Sequence, residues 1–449
     1  MAKHHGRAVL GTLVALVVAL SAAVYVTVAT TGGTRRIRMG SHPRHDSSAA
    51  GTWVGAWAAA PVGGEPGTEA NGMAGHSVRN VVHASAGGKS ARITLSNLYG
   101  RSPLTITHAS LALPAGDGTA SAGAATMRRL TFAGSTTVII PAGAQAVSDA
   151  VRLTIPHDSG VLVTTYSPTP SGPVTYHPRA QQVSYIAVGD HTEDTTGAPY
   201  TRQTPYWRYV TGLDVLGEEA DGTVVAFGDS ITDGITSTVN ENHRWPDFFA
   251  DRLRGALEDG RHLPRYSVVN EGISGNRLLT DGRGRPARNQ SGLGRFGRDV
   301  LSRAGVEVVV IDLGINDILR GPEPAAPDGI TAGLRALVRR AHARGLKAIG
   351  ATLTPFRGHH GFTPAREAVR QRVNAQIRAG HVYDAVVDFD RALRDPHDPR
   401  RLRPAYDSGD HLHPNDPGYR TMAAAFDLRV LKDGGQVEPL PGAPGILAA

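Results

Sequence analysis

The sequence predicts an α/β fold, a parallel sheet with helices on both faces, preceded by a β-sandwich-like part. Two observations predict it. From Trp53 to about Gly189 short runs alternate apolar and polar side chains between Gly, Pro and Ser turns, with no helical pattern between them. That is the signature of antiparallel strands. From about Thr223 onward, short wholly apolar runs alternate with amphipathic segments of helical period, as buried parallel strands and their crossover helices do.

The elements follow in chain order. Lys3, His4, His5 and Arg7 precede an uncharged run from Ala8 to Thr31, and Arg35, Arg36 and Arg38 come after it. A basic start before an apolar stretch is the pattern of an export signal. The run is long for a signal and long enough to span a bilayer. Residues 1–31 are therefore expected to be either a cleaved signal peptide or a retained membrane anchor through 8–31. Both place the rest of the chain outside the cytoplasm, secreted or anchored. Residues 32–50 read as a flexible tether.

The β-rich part, 51–215, holds Ala91, Ile93 and Leu95 interleaved with Arg92, Thr94 and Ser96, and Val151, Leu153 and Ile155 interleaved with Arg152 and Thr154. Further strand-like runs are Val78–His83, Leu104–Leu113, Thr137–Ile140, Val161–Tyr166 and Val183–Val188. In the α/β part, 221–432, the buried strands are Val224–Phe227, Val268–Val269, Val306–Leu313, Leu346–Leu353 and Ala385–Phe389. Helices are expected through Trp245, Phe248, Phe249, Leu253 and Leu257, near Leu293–Ala304, from a capping Asp328 to Gly345, from Pro364, and near Pro417–Leu428. Residues 433–449 form a Gly/Pro-rich tail.

Composition narrows the function. The 449 residues contain no cysteine, which removes a thiolate nucleophile, a thiolate metal site and a disulfide framework together. The net charge of +7 comes mainly from scattered arginines without a dense basic run, so no nucleic-acid partner is expected.

In a parallel sheet, ligands bind beyond the carboxyl ends of the strands. There stand Gly228-Asp229-Ser230, then Asn270 to Asn276, then Gly314-Ile315-Asn316-Asp317, and near the C-terminus Asp407-Ser408-Gly409-Asp410-His411-Leu412-His413-Pro414. Acyl transfer needs these residue types. Ser230 can attack a carbonyl if a neutral imidazole takes its proton. His413 can be that base, and Asp410, three residues earlier, can fix its tautomer. The N–H groups of Ser230 and Gly275 and the amide of Asn316 can form an oxyanion hole. Gly275 fits there because a side chain would obstruct the substrate. His411 and Asp407 compete for the roles of base and orienter. Asp229 and Asp317 are expected to brace loops, and Arg277 and Trp245 to line a pocket or to serve surface and core. The remaining histidines, His359-His360 among them, are expected to face solvent.

These four blocks resemble those of the SGNH/GDSL hydrolase superfamily over roughly residues 221 to 430. Ser230, Gly275, Asn316 and His413 stand at its name-giving positions, and Asp410 matches its Asp-x-x-His acid. The stretch Gly51 to Trp57 resembles the N-terminal region of secreted actinobacterial members. The resemblance implies a flavodoxin-like three-layer α/β/α hydrolase domain, an esterase or lipase with a serine nucleophile and no cofactor or metal. Its substrate would be a small-molecule, lipid or acylated glycan ester. Two other readings stay open. One is a metal-dependent phosphoesterase with Asp229, Asp317, Asp410 and His413 around a hard cation. The other is a non-catalytic carbohydrate-binding surface protein.

Overall fold

Alternation in the first part becomes two facing antiparallel sheets. One orders Thr52–Ala58, Val210–Gly217, Gly88–Ser96 and Val151–Ile155, with Gln145–Val147 also on Gly88–Ser96. The other orders Arg202–Thr204, Ser184–Val188, His76–Ala84, Ser159–Ser167, His108–Ala112 and Arg128–Arg129. Because side chains alternate across a strand, Val54, Ile93, Leu95 and Leu213 from the first sheet meet Val78, Val82, Leu111, Val161 and Val163 from the second in one core. A computed structural model describes residues 51–217 and 220–432, all within the compact unit Ala49–Ala449. The signal or anchor segment, the tether and the tail lie outside the described residues. Among the described residues, no helix is long and apolar enough to cross a membrane.

Two strands differ from expectation. The run Leu104–Leu113 divides at Thr107: Leu104–Ile106 pairs with Val138–Ile140 in a small separate sheet, while His108–Ala112 joins Ser159–Ser167. The strand Val210–Gly217, which lies between Thr52–Ala58 and Gly88–Ser96, is hidden in the sequence because Gly212, Asp214 and Gly217 blur its alternation.

The second part is a parallel sheet ordered Tyr266–Asn270, Gly222–Gly228, Val306–Asp312, Lys347–Ala351 and Ala385–Val387. This is the flavodoxin-like order, whose switch point lies between the first and third strands in sequence. Every residue of Gly222–Gly228 is buried. Val225 and Phe227 pack with Leu334, Leu337, Val373 and Ile377 on one face. Val224 and Ala226 pack with Trp245, Phe249, Leu253 and Tyr419 on the other. The three layers follow.

Helices Trp245–Glu258, Pro364–Arg378 and Asp416–Ala424 stand where expected. Asp328, however, does not cap its helix. The helix begins at Pro327 after Ala326, because proline's fixed φ and missing N–H suit the first helical position. The segment near Leu293–Ala304 is helical over Gly292–Phe296 and widens to a π-turn over Gly297–Leu301.

The two parts share an interface. Strand Thr52–Ala58 lies against the edge strand Tyr266–Asn270: a Cβ on Gly55 would sit 3.2 Å from Val269, and the Gly55 N–H donates to Thr223 Oγ1 at 3.0 Å. Ala58 belongs to the core of the parallel sheet. The sandwich thus packs against the parallel sheet, and Ser85 Oγ accepts the Val268 N–H of its edge strand at 3.1 Å.

Candidate active site

The strand Gly222–Gly228 ends in a turn that only glycine permits. A Cβ on Gly228 would lie 2.1 Å from Thr232 Oγ1 and 2.9 Å from the Asp312 carbonyl oxygen. Asp229 then caps the one-turn helix Ser230–Asp233, its carboxylate accepting the Ile231 N–H at 3.1 Å, and Gly234 ends the helix at φ +84°. Ser230 is the first helical residue, so its N–H has no partner inside the helix. Beneath the turn, Trp245 Nε1 donates to Thr232 Oγ1 at 3.2 Å, and Thr232 donates to Asp312 Oδ2 at 3.1 Å. Burial pushes the Asp312 carboxyl up to about 7. Burial, reinforced by Asp312, holds Asp229 well above the usual carboxylate range. Asp229 therefore braces the turn as a buried acid. Trp245 is wholly buried among Phe249, Phe389 and Phe426, so it belongs to the core and not to a pocket.

The C-terminal cluster shows why the spacing matters. Asp410 Oδ1 accepts the N–H groups of Leu412 and His413 at 2.9 and 2.8 Å, and Oδ2 meets His413 Nδ1 at 2.5 Å. One carboxylate fixes both the backbone and the ring of the residue three positions on. The other ring nitrogen, Nε2, lies 2.8 Å from Ser230 Oγ. Partial burial pushes the Asp410 carboxyl up, but the bonds from His413 and the loop N–H groups outweigh it and hold it well below the carboxylate range. His411 and Asp407 form a separate pair, Nδ1 to Oδ2 at 2.6 Å, with the His411 side chain 49 % exposed. The structure brings His413 and Asp410 to Ser230; His411 and Asp407 bond to each other instead.

Gly275 and Asn316 come to the same edge. Gly275 lines the pocket at Ser230 together with Ser274, Arg320 and His413. Its φ is +74°, and the space a Cβ would take is filled by Arg320, with Nη2 only 2.7 Å away. The need for glycine thus comes from the backbone and from Arg320, not from the substrate alone. Arg320 Nε donates to Asn316 Oδ1 at 2.9 Å. A guanidinium can only donate, so this bond fixes which end of the Asn316 amide is oxygen. The Asn316 amide nitrogen is buried beside the Asp229 carboxyl, without a hydrogen bond of ordinary geometry among the described residues. Asp317 accepts the N–H groups of Leu278 and Leu279 at 2.7 and 3.0 Å, bracing the loop as expected.

Several residues at this site escaped the sequence reading. The cavity of about 520 Å³ at Ser230 takes one wall from the sandwich: Arg179, Gln181, Pro205 and Tyr206 stand opposite Ile235 and Val239. His177, expected in solvent with the other unassigned histidines, is buried and meets Asp233. His359 is half-buried beside His360, and burial pushes its ring down. A larger cleft of about 690 Å³ contains none of Ser230, Gly275, Asn316 and His413.

A hydroxyl, an imidazole and a carboxylate in hydrogen-bonded series at the carboxyl end of a parallel strand form the arrangement of a serine hydrolase site. Residues 226–421 match the GDSL-like Lipase/Acylhydrolase family, and this part of the chain belongs to it. The protein is a carboxylic ester hydrolase. No curated protein matches the chain. Solved structures similar to it include a GDSL-like lipase from Bacteroides thetaiotaomicron VPI-5482, 23% identical over 47% of this chain and 88% of that one, with a TM-score of 0.33. A family two carbohydrate esterase from Clostridium thermocellum is 14% identical over 84% and 93%, TM-score 0.34. An acetylxylan esterase from Geobacillus stearothermophilus is 24% identical over 47% and 94%, TM-score 0.35.

Proposed function

We propose that the enzyme cleaves esters through an acyl-enzyme on Ser230. The observation that carries the reading is the unbroken series Asp410–His413–Ser230, 2.5 and 2.8 Å. Ser230 Oγ attacks the ester carbonyl carbon while His413 Nε2 takes its proton; Nδ1–H stays with Asp410, which favours the imidazolium. The carbonyl oxygen, now negative, is held by the N–H groups of Ser230 and Gly275 and by Asn316 Nδ2. Collapse expels the alcohol, which receives the His413 proton. Water then gives a proton to His413 and attacks the acyl-enzyme. In the second collapse the acyl–oxygen bond breaks, His413 returns the proton to Ser230 Oγ and the carboxylic acid leaves.

The metal-dependent alternative is disfavoured by the donors themselves. Both Asp317 oxygens accept backbone N–H groups, and the Asp410 carboxylate is engaged by His413 and its own loop. The basic and apolar pattern of the first residues supports an extracytoplasmic enzyme, released or anchored. The cavity of about 520 Å³ is in the size range of small-molecule sites, which supports a small-molecule or acylated-glycan ester as substrate. Hydrolysis of p-nitrophenyl acetate tests the chemistry: we expect Ser230→Ala to lose it by about 10⁴-fold or more and EDTA to leave the wild type unchanged. Loss with EDTA together with an active Ser230→Ala would replace this reading by the metal-dependent one.

A further inference from the structure

The sandwich does more than wall the pocket. His177 ends its strand Thr175–His177 and reaches into the hydrolase part. Its Nδ1 lies 2.8 Å from the Ala60 carbonyl oxygen, and its Nε2 lies 3.0 Å from Asp233 Oδ1. Both side chains are only 4% exposed. The Ala60 carbonyl can only accept, so Nδ1 carries a hydrogen, and Nε2 and the Asp233 carboxyl share one buried hydrogen bond. Burial pushes the ring's pKa down, yet Asp233 and the Ala60 carbonyl outweigh it and raise it.

The other oxygen of Asp233 faces the loop before Gly275. Oδ2 accepts the Ser274 N–H at 2.8 Å and the Ser274 hydroxyl at 2.6 Å. Asp233 itself ends the one-turn helix that Ser230 begins. Gly272 lets this loop pass close, since a Cβ there would lie 2.2 Å from the Asp233 nitrogen. One carboxylate thus ties together the sandwich, the helix of the nucleophile and the residue next to Gly275. More bonds hold the same sandwich segment in place. Gln181 Nε2 donates to the Gly234 carbonyl, and Gln182 Nε2 and the Val183 N–H donate to Asn240 Oδ1.

We propose that His177 is a positioning residue for ester hydrolysis: by holding Asp233 it fixes Ser274, and so aims the Gly275 N–H at the oxyanion. The inference rests on the reading of Gly275 as an oxyanion donor. It also gives the sandwich a part in catalysis, as a scaffold of the oxyanion loop.

The test compares His177→Phe, His177→Gln and Ser274→Ala for kcat and KM on p-nitrophenyl acetate, and for inhibition by a boronic acid whose tetrahedral adduct needs the same donors. Removing an oxyanion donor outright costs about 10²- to 10³-fold, so misplacing one should cost about 10- to 100-fold. We expect that loss in kcat for folded His177→Phe, KM within about threefold, and a boronate Ki weakened by the same factor as kcat. His177→Gln, which keeps a donor to Asp233, should recover most of the loss. Wild-type kcat and boronate Ki in a folded His177→Phe protein with a lowered Tm would overturn the inference, leaving His177 a structural residue. If His177→Phe does not fold, Ser274→Ala decides: parallel losses in kcat and boronate affinity support the inference, and wild-type values overturn it. Failure of the acyl-enzyme reading is separate, since it appears as activity in Ser230→Ala.

Discussion

At the residue scale, the site turns on which histidine reaches Ser230. Two Asp–His pairs stand in one loop, and they have nearly the same internal geometry, Nδ1 to Oδ2 at 2.5 and 2.6 Å. They differ in what the second ring nitrogen meets, and His413 meets Ser230. Asp410→Asn should therefore cost kcat up to about 10⁴-fold, because an amide can stabilise the wrong tautomer. His411→Gln should stay within about threefold of wild type. Steady-state kinetics of the two variants separates the pairs, and the reverse ranking would move the base to His411. The Asp-x-x-His spacing was legible in the sequence because both partners lie in one short loop. His177 was not, because its partner Asp233 lies 56 positions away across the sandwich–hydrolase interface. Nor was Arg320, since its value lies in a bond to Asn316 and in the space above Gly275.

At the element scale, the strand-to-helix turn at Gly228 is where local sequence and chemistry meet. The strand, the turn and the helix Ser230–Asp233 are packed too closely for any side chain at that position. Gly228→Ala should destabilise the fold by about 1–3 kcal/mol through overpacking and displace Ser230, lowering kcat together with the denaturant midpoint. An unchanged midpoint would contradict the packing argument. The parallel strands were legible because they are buried on both faces and read as unbroken apolar runs. Val210–Gly217 was not, although it lies between two strands of its sheet. Its glycines serve close packing instead of alternation: a Cβ on Gly212 would sit 3.2 Å from Arg303. The Asp328 cap failed for a related reason, as the preceding Pro327 already fixes the helix start.

At the scale of the whole molecule, the buried acids beneath the site set the pH response. Asp312 titrates at about 7 in the folded protein because burial disfavours its charge, against about 3.9 in the unfolded chain. Between those values the folded protein keeps a proton that the unfolded chain has released. Stability from this group is full below about pH 4, falls as the pH rises through the interval and levels off above about 7. The shift corresponds to at most about 4 kcal/mol, and the raised Asp229 adds in the same direction. Burial also pushes Glu271 up to about 8, so stability from it falls over the same range. Urea unfolding from pH 4 to 8 should show this decline, and Asp312→Asn should make it shallower, with Asp229 and Glu271 carrying the rest; an equally steep variant would assign the decline to those other groups. Most direct for the central claim is the fate of a serine-reactive organophosphate. Ser230 should take up one equivalent, located by peptide mass spectrometry, with hydrolysis lost in proportion. Full activity after labelling, or an adduct on another residue with Ser230 unmodified, would contradict the account.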